Sequence, residues 1–284
     1  MANLKEIRNR IVSIQSTMQI TSAMKMVSAA KLKKAQDAIT AMRPYSEKLT
    51  EILQAVSSTM EGDTGAAYTA QREIKNVLIV VVTSNRGLCG AFNANIIKEA
   101  RLLLKKYQGK NVQLVTIGKK GGDLLKKEAK VLSSHNELFD NLTFANTAEI
   151  ANAIISKFVS GEVDKIEIVY NQFKNAATQE VKVEQYLPLV QSNVSNVSND
   201  YLFEPEKVEI LLSLIPKALK TQLFKSVRDS FAAEHGARMT AMHKATDNAT
   251  DLRNQLKLTY NKARQAAITG EILEIVGGAE ALNN

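Results

Sequence analysis

The chain contains a single cysteine, Cys89, no tryptophan, and no apolar run of 18 residues. One cysteine excludes an intramolecular disulfide and argues against a cysteine-based zinc site, and it suits a reducing compartment such as the cytosol. The missing apolar run excludes a membrane-spanning helix. Aromatic residues make up only 5%, a shortage that suits helices packed on Ala, Leu, Ile and Met. The only histidines, His135, His235 and His243, are scattered without the spacing of metal ligands. Met1 to Arg10 reads as the start of an amphipathic helix, not as a signal peptide, and acidic Glu6 argues against a transit peptide. No proline occurs between Lys217 and Asn284.

What is present is a globular composition, 45% hydrophobic and 23% charged over 284 residues, enough for one large or two small cores. The net charge of +8 sits at the ends. Residues 1–58 hold 9 Lys/Arg against 4 Asp/Glu, residues 59–206 hold 17 of each, and residues 207–284 hold 11 against 8. A basic surface seeks an acidic partner.

Residues 4–42 predict one helix. Leu4, Ile7, Ile11, Ile14 and Met18 are spaced 3,4,3,4, which is a coiled-coil seam. The same register continues through Thr21, Lys25 and Ser28 to Leu32, Ala35, Ile39 and Met42. Through the polar stretch the apolar residues shift sideways to Ile20, Met24 and Val27, as expected of a helix that changes neighbour. Pro44 is expected to kink or interrupt the helix, which resumes to about Ser58. A linker follows from Glu61 to Ala70.

Residues 74–206 alternate strand and helix. Strands are predicted at 76–83, 112–118, 165–170 and 180–187, the last antiparallel or at an edge, with helices at 94–107, 119–129 and 146–159. From about Glu206 a single helical pattern runs to the end. Its register through Ala249, Leu252, Leu256, Thr259, Ala263, Ala266, Gly270 and Leu273 is rich in small residues. A helix of some 75 residues is about 110 Å long and must pack on another long element, for which only the N-terminal helix is available. The expected fold is therefore a long antiparallel two-helix coiled coil from the two termini plus a Rossmann-like open α/β domain. Its parts are residues 1–58, 59–206 and 207–284.

Three features invite a catalytic reading. Thr83 to Gly90 and Gly118 to Gly122 are glycine-containing turns after strands, but neither carries GK[ST] or GxGxxG. Cys89 has no histidine suited to activate it and reads as a structural thiol. No catalytic, cofactor-binding or metal-binding residue is assigned. A basic coiled-coil nucleic-acid binder and a nucleotide-using α/β enzyme remain as competing readings of the residues alone.

Several stretches spread over the whole chain resemble the gamma subunits of F-type ATP synthases. They are Leu4–Arg8, Ile20–Val27, Ala30–Lys33, Ser84–Asn93, Glu234–Met242, Ala245–Asn248 and Tyr260–Ala279. The C-terminal signature falls on Ile268, Thr269, Glu271, Glu274, Gly278 and Ala279. Gly270 stands where members of that family often carry Gln or Lys. The resemblance implies a non-catalytic central-stalk subunit that couples ion-driven rotation of a c ring to ATP synthesis or hydrolysis at beta subunits. It implies contacts with the alpha/beta hexamer at Met24, Lys25, Arg264, Gln265, Thr269 and Glu271, and with the c ring and epsilon at Tyr201 and Glu204. It also implies a peripheral place on the cytoplasmic face of a bacterial inner membrane.

Overall fold

A computed structural model describes residues 4–58, 66–189 and 207–282. The chain divides into two compact units, one of residues 1–28 and 239–284, the other of Ala29–Arg238.

The second unit is built on a five-stranded sheet. Its strands are β1 (Asn76–Val82), β2 (Asn111–Ile117), β3 (Lys130–His135), β4 (Lys165–Phe173) and β5 (Gln179–Leu187), in the order β3-β2-β1-β4-β5. Strands β1 to β4 are parallel, and β5 pairs antiparallel with β4 at the edge. The β-branched run of β1 is buried from Val77 to Val82, because helices cover both faces of the sheet. Helix α1 (Leu4–Ser58) comes first, and a short α2 (Ala66–Thr69) falls within the predicted linker. The crossover helices are α3 (Phe92–Lys106), α4 (Lys119–Leu125) and α5 (Phe144–Val159). Thr143 caps α5, its hydroxyl accepting the Asn146 amide.

The last helix, α6 (Lys207–Leu282), runs 76 residues. Its early turns form a layer of the α/β unit. Ile215, Leu219, Leu223 and Val227 join Leu78, Val80, Ile166 and Phe158 in one buried cluster. The Tyr186 hydroxyl donates to the Leu219 carbonyl, Phe231 stacks on Phe139, and Phe224 meets Phe144 edge-on. These contacts fasten α6 to the sheet through large apolar surfaces.

Two expectations change. Helix α1 is continuous through Pro44. The ring forfeits one backbone bond there, while buried Ile39, Ser46 and Leu49 keep the flanking turns packed. Strand β3 was not predicted: its sequence KVLSSH is short and half polar, as suits an edge strand beside only one neighbour.

Candidate partner-binding surfaces

In the first unit, α1 and α6 pair through side chains. Met18 Sδ lies 4.0 Å from the Thr250 hydroxyl, Thr21 and Thr246 share a hydroxyl hydrogen bond of 2.8 Å, and Lys25 Nζ lies 3.3 Å from His243 Nδ1. Partner numbers fall on α6 as they rise on α1, so the pair is antiparallel. The polar seam is chemically satisfied. One hydroxyl of the pair donates to the other, and the accepting one donates its own proton to a carbonyl one turn back on its helix, Thr17 for Thr21 or Met242 for Thr246.

Every residue of the register predicted for α1, from Leu4 to Met42, is buried or half-buried, the polar Thr21, Lys25 and Ser28 included. Of the sideways apolar residues, Met24 is half-buried while Ile20 and Val27 are exposed. On α6 the predicted register needs correction. Ala249, Leu256, Ala263 and Gly270 are the partly covered positions, but the covered residues between them are Arg253 and Tyr260, not Leu252 and Thr259. The seam steps by four and then three, and the long stems of Arg253 and Tyr260 lie along it.

Extending the pairing, Leu4 at the start of α1 lies opposite residue 264 or thereabouts. Beyond that level no described element pairs with α6, and from Arg264 to Glu280 every residue except Gly270 is exposed. Among them are Ile268, Ile272, Leu273, Ile275 and Val276, with Ile275 at 70%. Arg264, Gln265, Thr269 and Glu271 all lie on this unpaired stretch. Met24 and Lys25 do not join them: Lys25 sits at His243, about 30 Å further along the helix from Arg264. Tyr201 and Glu204 lie outside the described residues. Gly270 has nothing within 4 Å of a built Cβ. Gly270→Ala is therefore expected to strengthen this helix by about 1 kcal/mol, read as higher helical content of the C-terminal segment on heating.

The α/β unit offers the other candidate. Open parallel sheets bind ligands beyond the carboxyl ends of the strands where the order reverses, here between β1 and β4. Beside it, the loops that follow β1 and β2 bond to one another. Thr83 is fully buried, and its hydroxyl accepts the Gly121 amide. The Ser84 amide donates to Asn93 Oδ1, the Lys119 amide to Asn85 Oδ1, and the Lys120 amide to the Ser84 carbonyl. The amides of Ser84, Lys119, Lys120 and Gly121 are thus engaged internally. Over the same loop, Arg238 of α6 donates to the Arg86 and Gly87 carbonyls at 3.1 and 3.3 Å while its Nη1 pairs with Glu234 at 2.7 Å. Both side chains are buried. Burial pushes the Glu234 carboxyl up, against the pull of Arg238, Lys31 and Arg86. Burial and the same Arg238 and Lys31 charges lower His235 to about 3, so the ring is neutral and stands edge-on to Phe231. Cys89 is buried beside Asn93, and burial raises its thiol, which disfavours the thiolate form. The Arg238 clasp escaped the sequence reading because a Glu–Arg pair four apart on a helix ordinarily signals a solvated face.

Comparison with known proteins gives the same picture over the whole chain. A family model described as ATP synthase matches residues 3–282. The ATP synthase gamma chain of Flavobacterium johnsoniae is 72% identical over 285 residues and that of Geobacter sp. 44% over 286, each alignment covering at least 99% of both chains. Among solved structures, a chain of the Tetrahymena thermophila mitochondrial ATP synthase central stalk and c ring matches at 27% identity and a TM-score of 0.61, covering 80% of this chain and 99% of that one. A chain of the Euglena gracilis mitochondrial enzyme shares the fold at 21% identity and a TM-score of 0.70, covering 98% and 94%. The chain belongs to the ATP synthase gamma-chain family.

Proposed function

We propose that this chain is the central-stalk rotor subunit of an F-type ATP synthase. It turns with a ring of c subunits and biases the catalytic beta subunits of a surrounding alpha/beta hexamer, which carry the chemistry. The observation that supports this most directly is the unpaired end of α6, a single helix that leaves five large aliphatic side chains in water. A monomer rarely exposes such a surface, so a partner is expected to cover it. Apolar contacts are non-directional, and a helix held by them can still turn.

Arg264 and Gln265 stand at the root of that end, and their hydrogen bonds are directional, able to favour one angle over others. Thr269 and Glu271 extend the same contact, and Met24 and Lys25 form a second one lower on the pair. A two-helix pair has no threefold symmetry, so each beta subunit meets a different side. Swinging one site from 1:99 to 99:1 takes about 5.5 kcal/mol of differential contact. Continuous backbone bonding along α6 connects turns packed on the sheet with turns paired to α1. Tyr201 and Glu204 are assigned to contacts with epsilon and the c ring. No helix among the described residues is long and apolar enough to cross a membrane. We place the chain at the cytoplasmic face of a bacterial inner membrane, held there through its complex.

Arg264→Ala is the test. Loss of a charge-assisted hydrogen bond is worth about 2 kcal/mol, so coupled ATP synthesis and hydrolysis are expected to fall about tenfold or more with subunit assembly intact. Unchanged turnover in both directions would refute this catch.

A further inference from the structure

The α/β portion balances its charges in number but not in space. Parallel strands β2 and β3 begin at one end of the sheet, where α3 and α4 finish. Lys105, Lys106 and Lys110 lie at the junction of α3 with β2, and Lys126, Lys127 and Lys130 at the junction of α4 with β3. All six are exposed, and none forms an ion pair among the described residues. Two of the nearby carboxylates are already engaged. Glu128 is gripped by Arg101 through bonds of 2.6 and 3.0 Å, and buried Glu167 takes the Tyr107 hydroxyl and Lys165.

The ring of Tyr107 gathers the charge further. The ammonium groups of Lys106, Lys110 and Lys165 lie 5.3, 6.0 and 5.8 Å from its centroid, held there by the negative face of the ring. Two large apolar side chains, Leu102 of α3 and Leu124 of α4, stand about half exposed beside these lysines.

We infer that this end of the α/β unit is a docking surface for anionic phospholipid headgroups; the inference rests on the reading of the chain as part of a membrane-bound rotor. Lysine suits such a surface better than a folded protein partner. Its ammonium is a point charge on a flexible stem, without the planar fork by which arginine fixes one carboxylate. All six unpaired cations here are lysines. Exposed leucines among basic residues add a shallow apolar contact with the headgroup boundary. Single-stranded nucleic acid would call for an exposed aromatic platform, and Tyr107 is buried. A diffuse charge contact with laterally mobile headgroups sets no preferred angle, so it steadies a rotor without stopping it.

The test uses the full-length chain in its catalytic complex, detached from the c ring, with vesicles of phosphatidylcholine alone or with added phosphatidylglycerol. Each lysine near an anionic surface is worth about fivefold in binding. The quadruple variant K105Q/K106Q/K126Q/K127Q is therefore expected to bind the phosphatidylglycerol vesicles about 600-fold more weakly than the unaltered complex, whose own binding weakens with salt. Equal binding by the variant, or binding of neutral vesicles as tight as of anionic ones, overturns the inference. So does a variant that keeps its vesicle binding and loses only its hold on the isolated c ring, which would assign the lysines to a protein. ATP-driven rotation of the detached complex, measured alongside, tests the rotor reading separately; it is expected to be the same in both forms.

Discussion

Arg238→Ala is expected to destabilise the α/β unit by about 3–5 kcal/mol. The side chain is buried and holds three oxygens, Glu234 Oε1 and the carbonyls of Arg86 and Gly87. The two carbonyls belong to exposed residues and can turn to water, so most of the loss comes from a carboxylate left buried without its partner. The loss should depend on pH, and its sign is fixed. Burial already holds Glu234 above its ordinary value of 4.5, and Arg238 is the largest influence opposing that rise. Without Arg238 the folded pKa climbs further. A carboxyl raised on folding contributes stability that is full below the unfolded pKa and disappears as pH rises through the folded pKa. The deficit of the variant relative to the unaltered chain is therefore largest at neutral pH and shrinks toward pH 4.5. Denaturant midpoints at several pH values measure it, and Glu234→Gln in the Arg238→Ala background should recover part of the loss at pH 7. A deficit that stays constant across that range would remove the unpaired carboxylate as its cause.

Local periodicity carried the helical pair. Every position named by the 3,4 spacing on α1 is buried or half-buried, and the spacing held through Thr21 and Lys25 because their polar atoms find partners across the seam. On α6 two registers share every seventh residue. Side-chain type favoured Leu252, but the pairing turns Arg253 inward, and only the second helix decides between them. The buried run of β1 was legible for the same local reason, while β3 was not, since half-polar KVLSSH becomes a strand through its neighbour β2. The unpaired end of α6 was not legible in its spacing, whose register runs on through Ala266 and Leu273, both exposed. The Arg238 clasp and the lysine cluster were hidden for one shared reason. Both depend on which residues the fold brings together, and neither the burial of Glu234 and Arg238 nor the spatial segregation of the lysines is visible in a count of charges along the sequence.

The second large effect concerns the loops that most resembled phosphate cradles. Gly118 sits at φ +98°, and a Cβ built on it would lie 2.1 Å from the Thr83 carbonyl oxygen. The obstructing atom is backbone at the end of β1, where Thr83 is tied to β2 through its amide and to Gly121 through its hydroxyl. It has little room to retreat. Left-handed backbone costs a non-glycine residue about 1–2 kcal/mol, and forcing atoms into a packed site adds about 1–3 kcal/mol. Gly118→Ala is thus expected to lower stability by about 4 kcal/mol. Gly87→Ala, in the neighbouring loop where nothing lies within 4 Å, should change it by less than about 0.5 kcal/mol. Thermal unfolding of the two variants side by side distinguishes the roles. Had Gly118 been kept small to admit a phosphate, Gly118→Ala would fold normally and lose only nucleotide binding. The expected result is the reverse: this glycine serves the contact between the ends of β1 and β2.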